Sequence, residues 1–475
     1  MAIADLPLLD FNTHFTYQGA FKLPPSEQFT TGNDLGGFGN GYKRIAYDYV
    51  GNTLYWLAGY GTGQYADANE SSISRTSIPT PSLSLSFGAI PIATLLEGPR
   101  KVHLGRAKDV PNFGDFEAAA NAPPHYRGIM FYEGDLIIAF NEYYDSGGDA
   151  PFSHVRVNIS LAPLKDATCS GWHASAVTGT PPPGVFQNNT GYLQGATSGY
   201  MCRIPPDWRA ELGNYEASTG SSNISIIPRA SVMPCVAAFN PSAMATSGTG
   251  SIPCHFLQHG RVSNPALGWE EVGPVLTPKY FTGVHNEGGL VMIPGSRTYI
   301  SWSMAPTPSP TTAYWYGGQE GVISPTDPYL AGLPATDTNY GPQSANGYHS
   351  TQVTWSGGSW GIGAPTNTGI PMYEYQLTFW DANNLVNVYN GTQVADAARP
   401  YQVTKFDPPI NPPTRQHLGG MTYDPVNSRL FAVDPGGDNT YGSAPWSYPL
   451  VHVWNVSVTG GPVLGENKRP HFLGF

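Results

Sequence analysis

The chain has 475 residues, a formal net charge of −11 and only 12% charged residues. With no run of Lys or Arg it offers no basic stripe for a nucleic-acid backbone, and with 12% aromatic residues it is not a disordered chain. No apolar run reaches the length of a membrane span, and MAIADLPLLDFNTHF has neither the basic start nor the long apolar stretch of a Sec signal.

The expected elements are almost all strands. Residues 15–24, FTYQGAFKLP, predict a lone outer strand. Next comes a pattern that returns along the chain: a glycine-rich start, an apolar strand, a tight turn and a second apolar strand. It reads GYKRIAYDYVGNTLYWLAGYG at 41–61 and YRGIMFYEGDLIIAFNEYY at 126–144, then EGGLVMIPGSRTYISWSM at 287–304 and GGMTYDPVNSRLFAVDPGG at 419–437. Apolar and polar residues alternate, as in half-buried strands. The turns use Gly, Asn, Pro, Asp and Ser, which accept tight backbone angles.

A hairpin returning at multiples of roughly 45 residues predicts a β-propeller. The fold expected is all-β: one propeller of six or seven blades over 1–475, closed by pairing the N-terminal strand with PLVHVWNVSV at 449–458. Blades are expected to begin near 38, 125, 228, 284, 371 and 417. The fifth, YEYQLTFWDANNLVNVYNG at 373–391, reads as a strand, a turn and a short following segment. Helices are scarce, with candidates DFEAAANA at 115–122 and PDWRAELG at 206–213. Residues 160–255 and 305–370 break the rhythm and read as irregular insertions on one face.

Five groups of residues could carry chemistry. His125, His285 and His417 each precede the first strand of an expected blade, where side chains border the central channel. Imidazoles converging there would bind a metal; the competing reading is hydrogen-bonded channel residues. Asp145 and Asp149 flank Ser-Gly-Gly, and Asp434 and Asp438 flank Pro-Gly-Gly, in nearly equivalent loops. Such loops could bend around Ca²⁺, the cofactor this reading offers, or serve only as turns. Glu142, Glu287, Arg127, Arg415 and His349 are scattered acid–base candidates with no spacing that ties them together. Tyr314, Trp315 and Tyr316 sit in a polar, irregular stretch where aromatic faces could stack on sugar or anchor a protein interface. Cys169, Cys202, Cys235 and Cys254 lie within 86 residues with no CxxC pair, so a zinc ribbon is disfavoured. Two local disulfides and four reduced thiols are equally open.

Some phrases resemble a family of uncharacterised bacterial and phage proteins that look like β-propellers. They are Tyr17-Gln-Gly-Ala-Phe-Lys-Leu-Pro24, Phe379-Trp-Asp-Ala-Asn-Asn-Leu385, Thr422-Tyr-Asp-Pro425, Arg429-Leu-Phe431 and His452-Val453. The resemblance implies the fold and no catalytic residue.

Two functions follow as expectations. The favoured one is a non-enzymatic virion or extracellular assembly component that binds other protein chains, a receptor or a surface glycan. It rests on low charge, richness in Gly, Ser, Thr and Asn, and the long aromatic loops. Its location would be a virion or the cell exterior, reached without a cleaved Sec signal, with the cytoplasm as the alternative. The second function is a carbohydrate-active or metal-dependent lyase or hydrolase at the propeller channel.

Overall fold

A computed structural model describes residues 2–24, 42–58, 72–101, 124–142, 152–159, 169–178, 194–220, 235–245, 248–258, 289–306, 353–356, 359–362, 373–395, 397–398, 400–410, 419–438 and 448–458. The architecture is all-β, with short helices only in the connections. The strands group into four-stranded antiparallel meanders, five among the described residues.

The first unit is β2 (Tyr42–Asp48), β3 (Thr53–Ala58), β4 (Ser72–Thr76) and β5 (Leu95–Lys101). The second is β6 (Pro124–Tyr132), β7 (Asp135–Glu142), β8 (His154–Asn158) and β9 (Cys169–Val177). The third is β10 (Met201–Arg203), β11 (Ala217–Thr219), β12 (Val236–Phe239) and β13 (Gly248–Gln258). The fourth is β14 (Leu290–Met292), β15 (Thr298–Pro306), β18 (Tyr373–Asp381) and β19 (Gln402–Lys405), with a hairpin of β16 (Val353–Ser356) and β17 (Ser359–Ile362) between its second and third strands. The fifth takes β20 (Met421–Asp424), β21 (Arg429–Asp438) and β22 (Tyr448–Val456) from the C-terminal part of the chain. Its outer strand is β1 (Phe15–Lys22), antiparallel to β22 from Phe15↔Val456 to Lys22↔Leu450. The expected pairing of N- and C-terminal strands is therefore present, with β1 and β20 as the two edges of that sheet.

Side chains on a strand alternate between its two faces, and here each face meets a different neighbour. On β7, Leu136, Ile138 and Phe140 pack with Ala46, Tyr55 and Leu57 of the first unit. Ile137 and Ala139, between them, pack with Phe239, Ala237 and Cys254 of the third. The same holds around the molecule. Trp208, Val236 and Leu257 of the third unit meet Met292, Tyr299 and Trp380 of the fourth. Ile300 and Phe379 of the fourth meet Leu430 and Trp454 of the fifth. Phe431 and Val453 of the fifth meet Ile45 and Trp56 of the first. First strands contact in the same cycle: β2 on β6, β6 on β10, β10 on β14, β14 on β20, and β20 on β2.

One end of the strands is closed by tight turns. Each turn from a first to a second strand holds a left-handed residue: Asn52, Glu133, Asn214, Gly295 or Ser428. Contacts between units place these turns together. Glu133 donates its backbone N–H to Tyr49 Oη (3.1 Å), Arg429 Nη2 donates to Asn52 Oδ1 (3.1 Å), and Asp207 Oδ2 accepts from the Gly295 N–H (2.8 Å). The N-terminal residues run across this turn end as a strap. Ile3 N–H donates to Glu211 of the third unit, Leu9 N–H to Thr298 Oγ1 of the fourth (2.9 Å), and Ser457 N–H of the fifth donates to His14 O (2.8 Å).

The structure departs from several expectations. The blade starts expected near 228 and 371 fall at third strands, β12 and β18, of units that begin at Met201 and Leu290. The stretch 160–255, expected to be irregular, holds β9 to β12 and most of β13. β10, β11 and β12 are only three or four residues long, and β9 is built largely of Ala, Ser and Gly, so their alternation is faint. PDWRAELG forms a short helix, Pro206–Arg209, followed by a 3-10 turn at Ala210–Leu212. The segment after the fifth repeat is also a helix, Asn383–Tyr389. Finally, β13 belongs to two sheets. Its first half pairs parallel with β9, from Gly248↔Gly171 to Cys254↔Val177, and its last residues pair antiparallel with β12. The second and third units thereby share one eight-stranded sheet.

Candidate functional site at the open end of the strands

An antiparallel meander sends its first-to-second turn and its third-to-fourth connection out of one end. Its second-to-third connection, and the link to the next unit, leave from the other. The first-to-second turns occupy the first end, together with the third-to-fourth connections; the second-to-third connections and the links between units leave the opposite, open end. The described candidates lie at that end of their strands. His125 and Arg127 lie at the start of β6, and Glu142 at the end of β7. Asp434 and Asp438 lie in the last part of β21. His285, Glu287, Arg415 and His417 precede first strands, and Asp145, Asp149, Tyr314, Trp315, Tyr316 and His349 follow second strands.

Only part of this set is described. His125 pairs through its backbone with Asn141, and Glu142 with Pro124, but their side chains lie outside the described residues. Arg127 is half-buried on β6. Asp434 is buried opposite Leu450, and a register irregularity separates it from Asp438, whose side chain is not described. The remaining histidine, aspartate, glutamate, arginine and aromatic candidates lie outside the described residues. Among the described residues no group of three His, Cys, Asp or Glu is placed to hold a metal.

The cysteines can be placed more fully. Cys202, Cys235 and Cys254 are present as thiols, and the Cys169 side chain is not described. The Cys235 thiol donates to the Ala196 carbonyl at 3.2 Å. Burial pushes the thiols of Cys202 and Cys254 up to about 12, so both stay protonated at neutral pH and are poor nucleophiles.

Two polar clusters were not anticipated from sequence. In the first, His154 is wholly buried, with Nδ1 2.8 Å from Ser153 Oγ and Nε2 3.2 Å from Thr219 Oγ1. Ser153 Oγ lies 3.0 Å from Ser175 Oγ, and the Ser175 and Thr197 hydroxyls are also bonded. Thr219 gives its hydroxyl proton to the Thr197 carbonyl, so it accepts from His154 Nε2–H, which fixes the neutral tautomer. Burial, and then the neighbouring His173, lower the His154 pKa to about 3. His452 is likewise buried, 2.9 Å from Tyr17 Oη through Nδ1, and burial lowers its pKa to about 3. These imidazoles hold strands together in the interior. The second cluster surrounds Arg203 at the turn end.

No protein-family model and no curated relative matches the chain. Among solved structures it is similar to the β-propeller domain of Cps50 (Swd1) from Myceliophteria thermophila, at 7% identity and a TM-score of 0.26 over 88% of this chain and 84% of that one. The fold description above rests on the sheets themselves. No described helix is long and apolar enough to cross a membrane.

Proposed function

We propose that the chain closes into a single five-bladed β-propeller and acts as a non-enzymatic assembly or binding component, with the open end of the strands as its binding face. The observation that supports it most is the division between the two ends. One end is sealed by five left-handed turns and the N-terminal strap. From the other, the chain leaves into the second-to-third connections and the links between units, the stretches of sequence in which the aromatic and acidic candidates fall. A rigid scaffold that gathers variable connections on one face is a common way to build a binding surface. Tyr314, Trp315 and Tyr316 would supply stacking faces for a glycan or anchors for another protein chain. A virion or extracellular setting fits the low charge. Light scattering and negative-stain microscopy of the purified chain test the proposal, together with a glycan-array screen. A high-order oligomer or a glycan hit abolished by Trp315→Ala supports it. A monomer that binds nothing and degrades a polysaccharide overturns it.

The second reading is a metal-dependent lyase or hydrolase at the same end. It is supported by the placement of His125, His285 and His417 at or just before the first strands of three different units. Elemental analysis before and after chelation separates the two readings. A stoichiometric transition metal lost from His125→Ala supports the enzyme. Calcium lost from Asp145→Ala or Asp434→Ala supports structural clips.

A further inference from the structure

The turn end, opposite the proposed binding face, holds a feature that the proposed function does not use. Arg203, the last residue of β10, lies against rings from both neighbouring turns. Its Cζ is 4.6 Å from the Tyr49 ring centroid and 5.5 Å from that of Tyr132. Among the described residues its guanidinium forms neither a hydrogen bond nor an ion pair. Arg209, from helix Pro206–Arg209, stands near it. Its Nε donates to Ile204 O at 3.1 Å, but its Nη2 is buried with no partner. Burial, and then the charge of Arg203, hold the Arg209 pKa below its ordinary value.

The neighbouring carboxylates accept their hydrogen bonds elsewhere, although the charges of Glu216 and then Glu133 act on Arg209. Glu216 Oε2 accepts from Tyr132 Oη (2.9 Å) and from the Ser242 N–H (3.1 Å). Asp135 is held by Arg156, Nε to Oδ2 at 2.6 Å. Glu133 lies on the left-handed turn and donates its backbone N–H to Tyr49 Oη. Among the described residues neither guanidinium closes an ion pair with a carboxylate.

A guanidinium held through ring contacts keeps its in-plane N–H edge for another partner, and that edge matches a planar acceptor of two hydrogen bonds. Buried donors left without acceptors are costly, which favours a ligand that supplies them. We infer that Arg203 and Arg209 form a binding site for a small carboxylate at the turn end of the molecule, with Tyr49 and Tyr132 holding Arg203 in place. Three strands distant in sequence build it: the ends of β2, β6 and β10.

The test uses the full chain and sodium malonate, with sodium chloride at matched ionic strength and sodium sulfate as controls. Isothermal titration calorimetry should show malonate binding that chloride does not reproduce, and malonate should raise the unfolding temperature. Arg203→Lys keeps the charge but loses the flat fork, and should weaken binding at least tenfold. Arg209→Gln should do the same while leaving the circular dichroism spectrum unchanged. Wild-type affinity in both variants, no binding above chloride, or sulfate binding as tight as malonate would each overturn the site. None of these results bears on the open end, so this inference and the proposed function fail independently.

Discussion

Single side chains set the turns. Asp48 and Asp424 each end a first strand and do the same work. Asp48 Oδ1 accepts from the Val50 and Gly51 N–H groups, both at 2.9 Å, and Asp424 Oδ1 from Val426 (2.9 Å) and Asn427 (3.0 Å). The second oxygen of Asp424 holds Arg429, Nη2 to Oδ2 at 2.7 Å, and that arginine also reaches Asn52 of the first unit. Replacing Asp424 with Ala strands two backbone donors and a half-buried guanidinium. Urea unfolding should show a loss of about 2–4 kcal/mol. Asp48→Ala, which strands no arginine, should cost about 1–2 kcal/mol. The buried histidines set an acid limit. Their folded pKa values lie near 3, below the ordinary value of 6.5, so the unfolded chain takes up protons first as pH falls. Stability should be level above about pH 6.5 and then fall by about 1.4 kcal/mol per pH unit for each histidine, down to about pH 3. Chemical denaturation at pH 7, 6 and 5 checks this. His452→Phe should remove its share of the slope, and an unchanged slope would refute the assignment.

The strap and β1 act as one element. Ile3 and Leu6 pack into the cluster between the third and fourth units, Leu9 into that between the fourth and fifth, and Phe21 into that between the fifth and first. Leu9 has no exposed surface, so Leu9→Ala should cost about 2–5 kcal/mol through lost burial and the cavity left behind. Calorimetry should show this as a lowered unfolding temperature. The outer edge of β1 is itself covered. Ala20 exchanges backbone hydrogen bonds with Ser82, and Lys22 donates its backbone N–H to Pro91. Gly19, at φ +114, lies where a Cβ would come within 2.2 Å of Ser82 O, so only glycine permits this approach. The strand pairings on either side of the tight turns were legible in sequence because alternation and turn residues are local signals. The covering of β1 by residues from the first unit was not, since no local pattern marks which remote segment lies against an edge.

The whole molecule depends on how closely the units approach one another. A Cβ at Gly128 on β6 would lie 2.0 Å from Gly199 O, just before β10. Gly128→Val should therefore force the second and third units apart, costing about 1–3 kcal/mol or more. Hydrogen exchange should then be faster in β6 and β10 than in β20.

The sequence by itself determined that the chain is all-β, that strands pair through tight turns, and that the N-terminal strand joins the C-terminal sheet. Each of these follows from periodicity within a few residues, or from an outer strand that lacks a partner beside it in the chain. Only the tertiary structure decided the grouping into four-stranded units, the shared strand β13, and the meeting of Tyr49, Tyr132 and Arg203. Short strands such as Ala217–Thr219 bury small residues whose alternation is too shallow to read. Contacts between residues some seventy to a hundred and fifty positions apart arise from packing around the molecule, which no spacing along the chain records.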